Sequence, residues 1–141
     1  MILLDTNHVS ILRMPPSDRR TRLVERMTLA HTELFGIPVV AVEETMRGWL
    51  AAIAKERLAR CQVSAYRELS GLFEFFATFP IAPFDQAAAD RFDSLQAAKV
   101  RIATRDLKIA ATSLVSNALL LTANRRDFDK VPGLRFENWL E

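Results

Sequence analysis

Residues 1–13, MILLDTNHVSILR, contain the stretch that decides the fold. The apolar run from Ile2 to Leu4 predicts a short buried strand that ends at Asp5. The segment from Thr6 to Arg13 follows at once and has apolar residues at roughly helical spacing. A strand that runs directly into a helix is typical of an α/β fold. In a parallel sheet, the carboxylate after such a strand faces the crevice at the strand ends.

The rest of the chain continues this alternation of strands and helices. Further strands are predicted at Ile37 to Val42, at Phe79 to Phe84 on a sheet edge, at Ala118 to Thr122 and at Leu134 to Glu137. Helices are predicted from Ser17 or Asp18 to about Thr32, from Glu44 to about Ala77 as a hairpin that divides near Arg60 to Val63, after Asp85, and from Thr104 or Arg105 to Asn117. We therefore expect an α/β fold whose short, mostly parallel sheet of about five strands is flanked by helices.

Composition limits the classes of protein that the chain can represent. The 141 residues, 50% of them hydrophobic, predict one domain over residues 1–141. No apolar run approaches the ~20 residues of a membrane-spanning helix, and no basic lead-in or cleavage site opens the chain, so we expect a cytoplasmic protein with no membrane partner. The single cysteine, Cys61, cannot form an internal disulfide and is expected to be a small buried residue.

Acidic residues stand where apolar runs end or begin. Asp5 follows the first predicted strand, Glu43 and Glu44 follow the second, Asp106 opens an apolar helix, and Asp127 lies just past the strand that ends at Thr122. A parallel sheet can bring such residues to one crevice, where clustered carboxylates repel one another without a cation. The pattern predicts a divalent metal site. An acid in the first turn of a helix also favours the helix by itself, so helix capping remains an alternative for two of these acids, Glu44 and Asp106.

The basic residues are concentrated in two regions, although the net charge is only +2. Five arginines lie in the N-terminal third: Arg13, Arg19, Arg20, Arg22 and Arg26. For these, a polyanion-binding role and a solvated helix face remain equally open. Near the C-terminal acids, Arg105, Arg125 and Arg126 are candidate substrate-binding residues, because arginine beside an acidic metal site suits a polyanionic substrate.

Neither histidine is predicted to act as a base, and the phenylalanines fall into two groups. His31 lies at a polar helix end, and His8 is expected on a helix surface. One helical face of the segment around residues 69–79 predicts core residues: Leu69, Leu72, Phe76 and Phe79. Phe73 and Phe75 lie off that face, so they are predicted to form a surface for a partner.

Several motifs together resemble a known family. They are Leu4-Asp5-Thr6-Asn7, Glu44 with Gly48, the run from Arg105 to Ala111, the run from Leu121 to Phe128, and Pro132-Gly133-Leu134. In this order and spacing they resemble the PIN-domain ribonucleases, and among these the VapC-type toxins of type II toxin–antitoxin pairs. The resemblance covers essentially the whole chain and implies the three-layer PIN-like fold.

The resemblance also implies roles for individual residues. It makes Asp5, Glu44, Asp106 and Asp127 the metal-binding and catalytic acids, with Thr6, Asn7, Thr122 and Asn124 as supporting polar residues. Glu43 is the rival of Glu44, but Glu44 stands four residues before Gly48, as the family pattern requires. Some relatives place their fourth acid where this chain has Asn124, so either Asn124 or Asp127 completes the site.

The implied function is a Mg²⁺- or Mn²⁺-dependent endoribonuclease toxin that hydrolyses RNA through a metal-activated water. The resemblance further implies a VapB-like antitoxin and a homodimer. One alternative is a catalytically silent PIN-like domain that binds RNA or regulates, although all four acidic positions remain acidic. Another is a phosphatase with an aspartyl nucleophile, but that class has a second aspartate two residues after the first, whereas Asp5 is followed by Thr6 and Asn7.

Overall fold

The computed structural model describes residues 1–141 and contains five strands and seven helices. The strands are β1 (Ile2–Leu4), β2 (Phe35–Pro38), β3 (Ile81–Ala82), β4 (Leu119–Leu121) and β5 (Arg135–Glu137). The helices are α1 (Thr6–Arg13), α2 (Asp18–Leu29), α3 (Val39–Lys55), α4 (Ala59–Ala77), α5 (Gln86–Ala97), α6 (Thr104–Val115) and α7 (Arg125–Phe128). None of the helices is long and apolar enough to cross a membrane.

The sheet has the order β3-β2-β1-β4-β5, and every neighbouring pair is parallel. The chain adds strands on one side of β1 and then returns to add β4 and β5 on the other side. The strand order therefore reverses between β1 and β4, and in open α/β sheets the crevice at such a reversal is where ligands bind. The predicted fold class is confirmed.

The core explains why these short strands are stable. Leu3 and Leu4 of β1 and Leu120 and Leu121 of β4 are fully buried, as expected of parallel strands covered on both faces. Helix α6 packs against them with six consecutive or nearly consecutive buried residues, Leu107 and Ile109–Ser113. The prediction that this helix is largely buried is confirmed.

The predicted strand at Ile37 to Val42 is wrong in its second half. Strand β2 ends at Pro38, and α3 begins at Val39 without a loop. The valine-rich run favours a strand by intrinsic propensity, but Pro38 has no N–H to extend the strand pairing, and helical packing buries Val40 and Ala41. The acids that follow therefore lie on a helix rather than at a strand end.

The turn of the helical hairpin lies earlier than predicted. Helix α3 ends at Lys55 and α4 begins at Ala59, before the predicted division near Arg60 to Val63. The Gln62 amide donates to the carbonyl oxygens of Ile53 and Glu56 and so satisfies the end of α3. Cys61, predicted to be buried, is exposed because it faces outward from the first turn of α4.

The aromatic residues of α4 divide differently from the prediction. Leu72 is buried and Phe76 and Phe79 pack against the core, as predicted. Phe73 is 66% exposed, as a partner surface requires. Phe75 is not free for a partner, because its ring packs against Phe76 and Phe79.

The N-terminal arginines are largely engaged within the chain. Arg13 pairs with Glu68, with 3.1 Å between Nη2 and Oε2. Arg22 donates to the Leu140 carbonyl, and Arg26 lies over the indole of Trp139. These contacts favour a structural role for the three arginines.

Candidate metal centre

Asp5 lies directly after β1 and is the N-cap of α1. Its Oδ1 accepts the Thr6 backbone N–H at 2.7 Å, and its Oδ2 accepts the Thr122 hydroxyl at 2.8 Å. Thr122 follows β4, so the hydrogen bond joins the two strands at which the sheet order reverses. Asp5 is only 4% exposed, and both of its oxygens are oriented by neighbours.

Glu44 reaches the same crevice from α3. Its Oε1 accepts the Thr6 hydroxyl at 2.9 Å, so Thr6 links the first two acids through its N–H and its side chain. The rival acid, Glu43, instead pairs with Arg47 one turn away, with 2.9 Å between Oε2 and Nε. The structure therefore places Glu44, and not Glu43, beside Asp5.

Asp106 completes a cluster of three carboxylates. One oxygen each from Asp5, Glu44 and Asp106 lies within 4.8 Å of the other two. Asp106 is in the first turn of α6, but no backbone N–H donates to its carboxylate; its partner is the Asn124 amide at 3.3 Å. Simple helix capping therefore does not account for its position.

Asp127 lies beside this cluster rather than within it. The Asn124 amide nitrogen donates to Asp106 Oδ2 at 3.3 Å and to Asp127 Oδ2 at 3.0 Å. Asn124 also caps α7, a four-residue helix that the sequence analysis does not predict. The signal was present, since an asparagine followed three residues later by an acid is a helix-start pattern. Asn124 and Asp127 are thus both at the site, as a bridge and an outer acid.

The position of His8 differs from the predicted helix surface, because its side chain is fully buried. Its Nε2 accepts the Trp139 backbone N–H at 3.3 Å, so Nδ1 carries the proton and donates to Asn7 Oδ1 at 2.8 Å. Asn7 Oδ1 also accepts the Ala123 N–H at 3.3 Å. Because Asn7 Oδ1 accepts from both His8 and Ala123, the orientation of the amide is fixed, and its NH₂ group points away from these two residues.

The electrostatics of the cluster reflect burial and like charge. Burial raises the pKa of Asp5, and the hydrogen bonds from Thr122 and Thr6 oppose this effect. Burial, followed by the charges of Asp5, Glu44 and Asp127, raises the pKa of Asp106 to about 6. Burial lowers the pKa of His8 to about 4, so the imidazole is neutral near pH 7. The two acids thus carry their charges in an unfavourable environment.

The three carboxylates fit a divalent cation. No arginine or lysine nitrogen lies within 4.0 Å of any of the three, so their charges have no internal counter-ion. All the donors are oxygens, which Mg²⁺ and Mn²⁺ prefer. In octahedral coordination with bonds of about 2.1 Å, opposite ligands are about 4.2 Å apart, so a separation within 4.8 Å needs only small side-chain adjustments.

The candidate substrate-binding arginines surround this cluster without neutralising it. Arg105, Arg125 and Arg126 are exposed, and none forms an ion pair within 4.0 Å. Arg105 lines a cavity together with Glu44 and Asp106. On the other side of Glu44, the crevice continues into cavities lined by Ser10, Thr45 and Trp49, which the sequence analysis does not single out because a lone Trp in a helix carries no spacing signal.

Comparisons with solved structures identify the same fold. VapBC2 from Rickettsia felis, solved with a DNA fragment from its promoter, is 24% identical with a TM-score of 0.73, and 99% of each chain is covered. FitAcB from Neisseria gonorrhoeae is 23% identical with a TM-score of 0.71, covering 99% of this chain and 98% of that one. VapBC-1 from nontypeable Haemophilus influenzae is 19% identical with a TM-score of 0.70 over 100% of both chains. No curated protein matches the sequence.

The family of this chain is assigned by a match to a family model, because the solved structures share the fold at low sequence identity. The model of the PIN domain matches residues 2–134, which is nearly the whole chain and includes every acid of the cluster. The chain therefore belongs to the PIN domain family.

Proposed function

We propose that this protein is a divalent-metal-dependent endoribonuclease and the toxin of a toxin–antitoxin pair, acting in the cytoplasm. The observation that carries the proposal is the cluster of Asp5, Glu44 and Asp106, whose carboxylates meet within 4.8 Å without a cationic partner. Such a site is unfavourable in the free protein and suits a nuclease that binds its cation with the substrate phosphate.

Each residue of the site has a proposed task. Asp5, Glu44 and Asp106 hold the cation, while Thr6 and Thr122 fix the carboxylate of Asp5. A bound Mg²⁺ or Mn²⁺ would activate a water and offset the negative charge that develops on the phosphate. Asn124 donates to both Asp106 and Asp127 and so fixes the position of one carboxylate relative to the other, and Asp127 serves as the fourth, outer acid. The Asn7 amide, held by the buried imidazole, presents its NH₂ group as a donor.

We propose RNA as the substrate and place its flanking phosphates against the exposed arginines. Arg105 is beside the cluster, and Arg125 and Arg126 lie on α7 next to Asp127. Unpaired guanidinium groups can bind phosphates bidentately, and the cation then meets the phosphate between them. This arrangement favours hydrolysis of a phosphodiester within a strand.

The test is cleavage of total cellular RNA by purified protein with Mg²⁺, with Mn²⁺ and with a chelator. Wild type should produce discrete fragments only with metal, and Asp5→Asn should produce none. Asp93→Asn, an equal change of charge at an exposed residue of α5, is the matched control and should cleave as wild type does. RNA that stays intact under every condition with folded, antitoxin-free protein would refute the nuclease. If that protein still bound RNA, the silent RNA-binding alternative would replace it.

A VapB-like antitoxin and a homodimer are the proposed protein partners. The antitoxin is supported by solved structures of the same fold, which include the VapBC assemblies from Rickettsia felis and Haemophilus influenzae. The homodimer is proposed from the resemblance to the VapC-type toxins. Expression of this chain alone should arrest growth, and co-expression of the small gene beside it should relieve the arrest. Growth unaffected by active, folded protein would contradict the toxin role while leaving the nuclease in place.

A further inference from the structure

Glu44 of the acidic cluster borders two cavities, which extend the site along a groove. A cavity of about 340 Å³ extends from Glu44 to the N-terminus of α6. On the opposite side, a cavity of about 370 Å³ is shared by Thr6 and Glu44 with Gly48 and Trp49. Trp49 also lines the next cavity, of about 260 Å³, which ends at Arg13. A linear ligand centred on the cluster would therefore pass Trp49 on one side.

Gly48 has no structural explanation within the chain. It lies in the interior of α3, where glycine costs about 0.5 to 1 kcal/mol relative to alanine. Its φ is not positive, and a Cβ added there would meet no atom within 4 Å. Neither the backbone nor internal packing requires a glycine. One turn beyond Glu44, the missing side chain instead leaves the helix backbone open to the groove.

Trp49 is an aromatic residue without an aromatic partner. Trp139, by contrast, stacks edge-on with Phe35, lies under Arg26 and donates its indole N–H to Glu137. The half-buried Trp49 has no ring or cation over it, and no buried polar atom in the chain lacks a hydrogen-bond partner, so its unbonded indole N–H reaches solvent. Its ring is available to a ligand in the groove.

Polar groups beside Trp49 suit the edge of a planar heterocycle. Ser10 and Thr45, which carry hydroxyl groups, line both cavities that Trp49 lines. The Thr45 hydroxyl donates to the Ala41 carbonyl and so retains its acceptor capacity. At the far end, the ion pair of Arg13 with Glu68 closes the cavity. A cavity of about 260 Å³ is large enough for one heterocyclic ring system but too small for several consecutive side chains of a peptide.

We propose that Trp49 is the stacking platform of a nucleobase subsite, which binds an unpaired base of the RNA within one or two nucleotides of the scissile phosphate. Trp49 follows Glu44 by five residues, about 7.5 Å along the helix axis, which places it beside and not at the reacting phosphate. Stacking on an aromatic ring tolerates every base, and the hydroxyls of Ser10 and Thr45 add preference among them. The subsite deepens the proposed ribonuclease function and rests on it.

The test uses a single-stranded oligoribonucleotide that spans a cut mapped in cellular RNA. Trp49→Ala should lower kcat/KM about 10- to 100-fold, mostly through KM, whereas Trp49→Phe should retain most of it. Leu50→Ala is the control, since Leu50 is exposed on the same helix and lines none of these cavities. With wild type, an abasic nucleotide at one position beside the cut should lower kcat/KM by the same factor as Trp49→Ala does on the intact substrate. With Trp49→Ala, the abasic nucleotide should lower kcat/KM no further.

The outcomes separate this inference from the function on which it rests. Wild type that cleaves no RNA refutes the nuclease, whereas wild type and Trp49→Ala with equal kcat/KM refute only the subsite. The rise in melting temperature with Mg²⁺ must be the same in Trp49→Ala as in wild type, which shows an intact fold and metal site. Unchanged cleavage together with lost antitoxin binding would assign the groove to the protein partner and overturn the proposal.

Discussion

Replacing Asp106 with asparagine should abolish cleavage and yet stabilise the metal-free protein. Asp106 lies within 4.8 Å of two other carboxylates, and burial together with their charges raises its pKa from 3.8 to about 6. Such a rise corresponds to about 3 kcal/mol at 1.36 kcal/mol per pKa unit. Asp106 is partly exposed, and solvent screening reduces this to an expected gain of about 1 to 2 kcal/mol at neutral pH. Asparagine keeps an oxygen for the Asn124 amide, so no hydrogen bond need be lost.

The pH dependence identifies the cause of that gain. The unfolded chain loses the Asp106 proton near pH 3.8, whereas the folded chain retains it to about pH 6. Between these values the folded state binds more protons at Asp106, so rising pH removes from the wild type a stabilising contribution of this residue, whereas Asp106→Asn does not titrate there. The stability difference should therefore vanish below about pH 4 and be complete above about pH 6.

Chemical denaturation in the presence of a chelator, from acid to neutral pH, measures this difference. Thermal unfolding at neutral pH should show a rise of about 2 to 8 °C for Asp106→Asn. Asp93→Asn is the control for net charge, because Asp93 is exposed and forms no ion pair. A variant that is less stable than wild type at neutral pH, or a difference that persists at acid pH, would refute charge repulsion as the dominant effect at this site.

Three further predictions test the cation, the buried histidine and the aromatic surface. Saturating Mg²⁺ should stabilise wild type by about 2.7 kcal/mol at one hundred times its dissociation constant, and much less in Asp5→Asn; equal melting shifts in the two proteins would remove Asp5 from the site. His8→Phe should cost about 1 to 3 kcal/mol in urea unfolding, because the Trp139 N–H loses its acceptor. As pH falls from about 6.5 to about 4, the unfolded histidine is protonated and the folded one is not, so wild type should lose stability relative to His8→Phe in this range. Phe73→Ser should lower the mass of the assembly in solution without changing stability, whereas Phe75→Ser should lower stability; the reverse result would show that the exposed ring is structural.

The sequence predicts the elements that are governed by local patterns. The bounds of α1 and its start after Asp5 follow from one apolar run and its spacing, and Ser17 and Asp85 cap their helices as expected. The sequence does not disclose where α3 begins, because Val39 to Val42 favour a strand and only burial against the sheet makes them helical. The positions of Cys61 and His8 likewise depend on which helix face meets the core. For His8 the eight-residue helix α1 is too short to define that face from sequence, and Cys61 lies in the first turn of α4, where the hairpin turn is wrongly predicted.

The sequence correctly predicts that residues after different strands meet at the site, because the strand order of the sheet brings the ends of those strands together. Asp5 and Thr122 follow β1 and β4, whose adjacency creates the crevice, so any chain with this strand order brings them together. The choice of Glu44 over Glu43 needs the helix as well, since only one of two neighbouring residues can face the sheet. The connection of His8 to Trp139 joins residues 131 positions apart and has no local signal.

The role of Asn124 at the site depends on its lack of charge as well as on its position. A fourth acid placed among Asp5, Glu44 and Asp106 would add a fourth negative charge where burial already raises the pKa of two of them. The Asn124 amide instead donates to Asp106 and Asp127 at once, which lowers the pKa of Asp106 and keeps the outer carboxylate in place. An amide at this position therefore lowers the electrostatic cost of the carboxylate cluster in the metal-free protein without neutralising it. A cation remains the group that can offset the charge of the cluster.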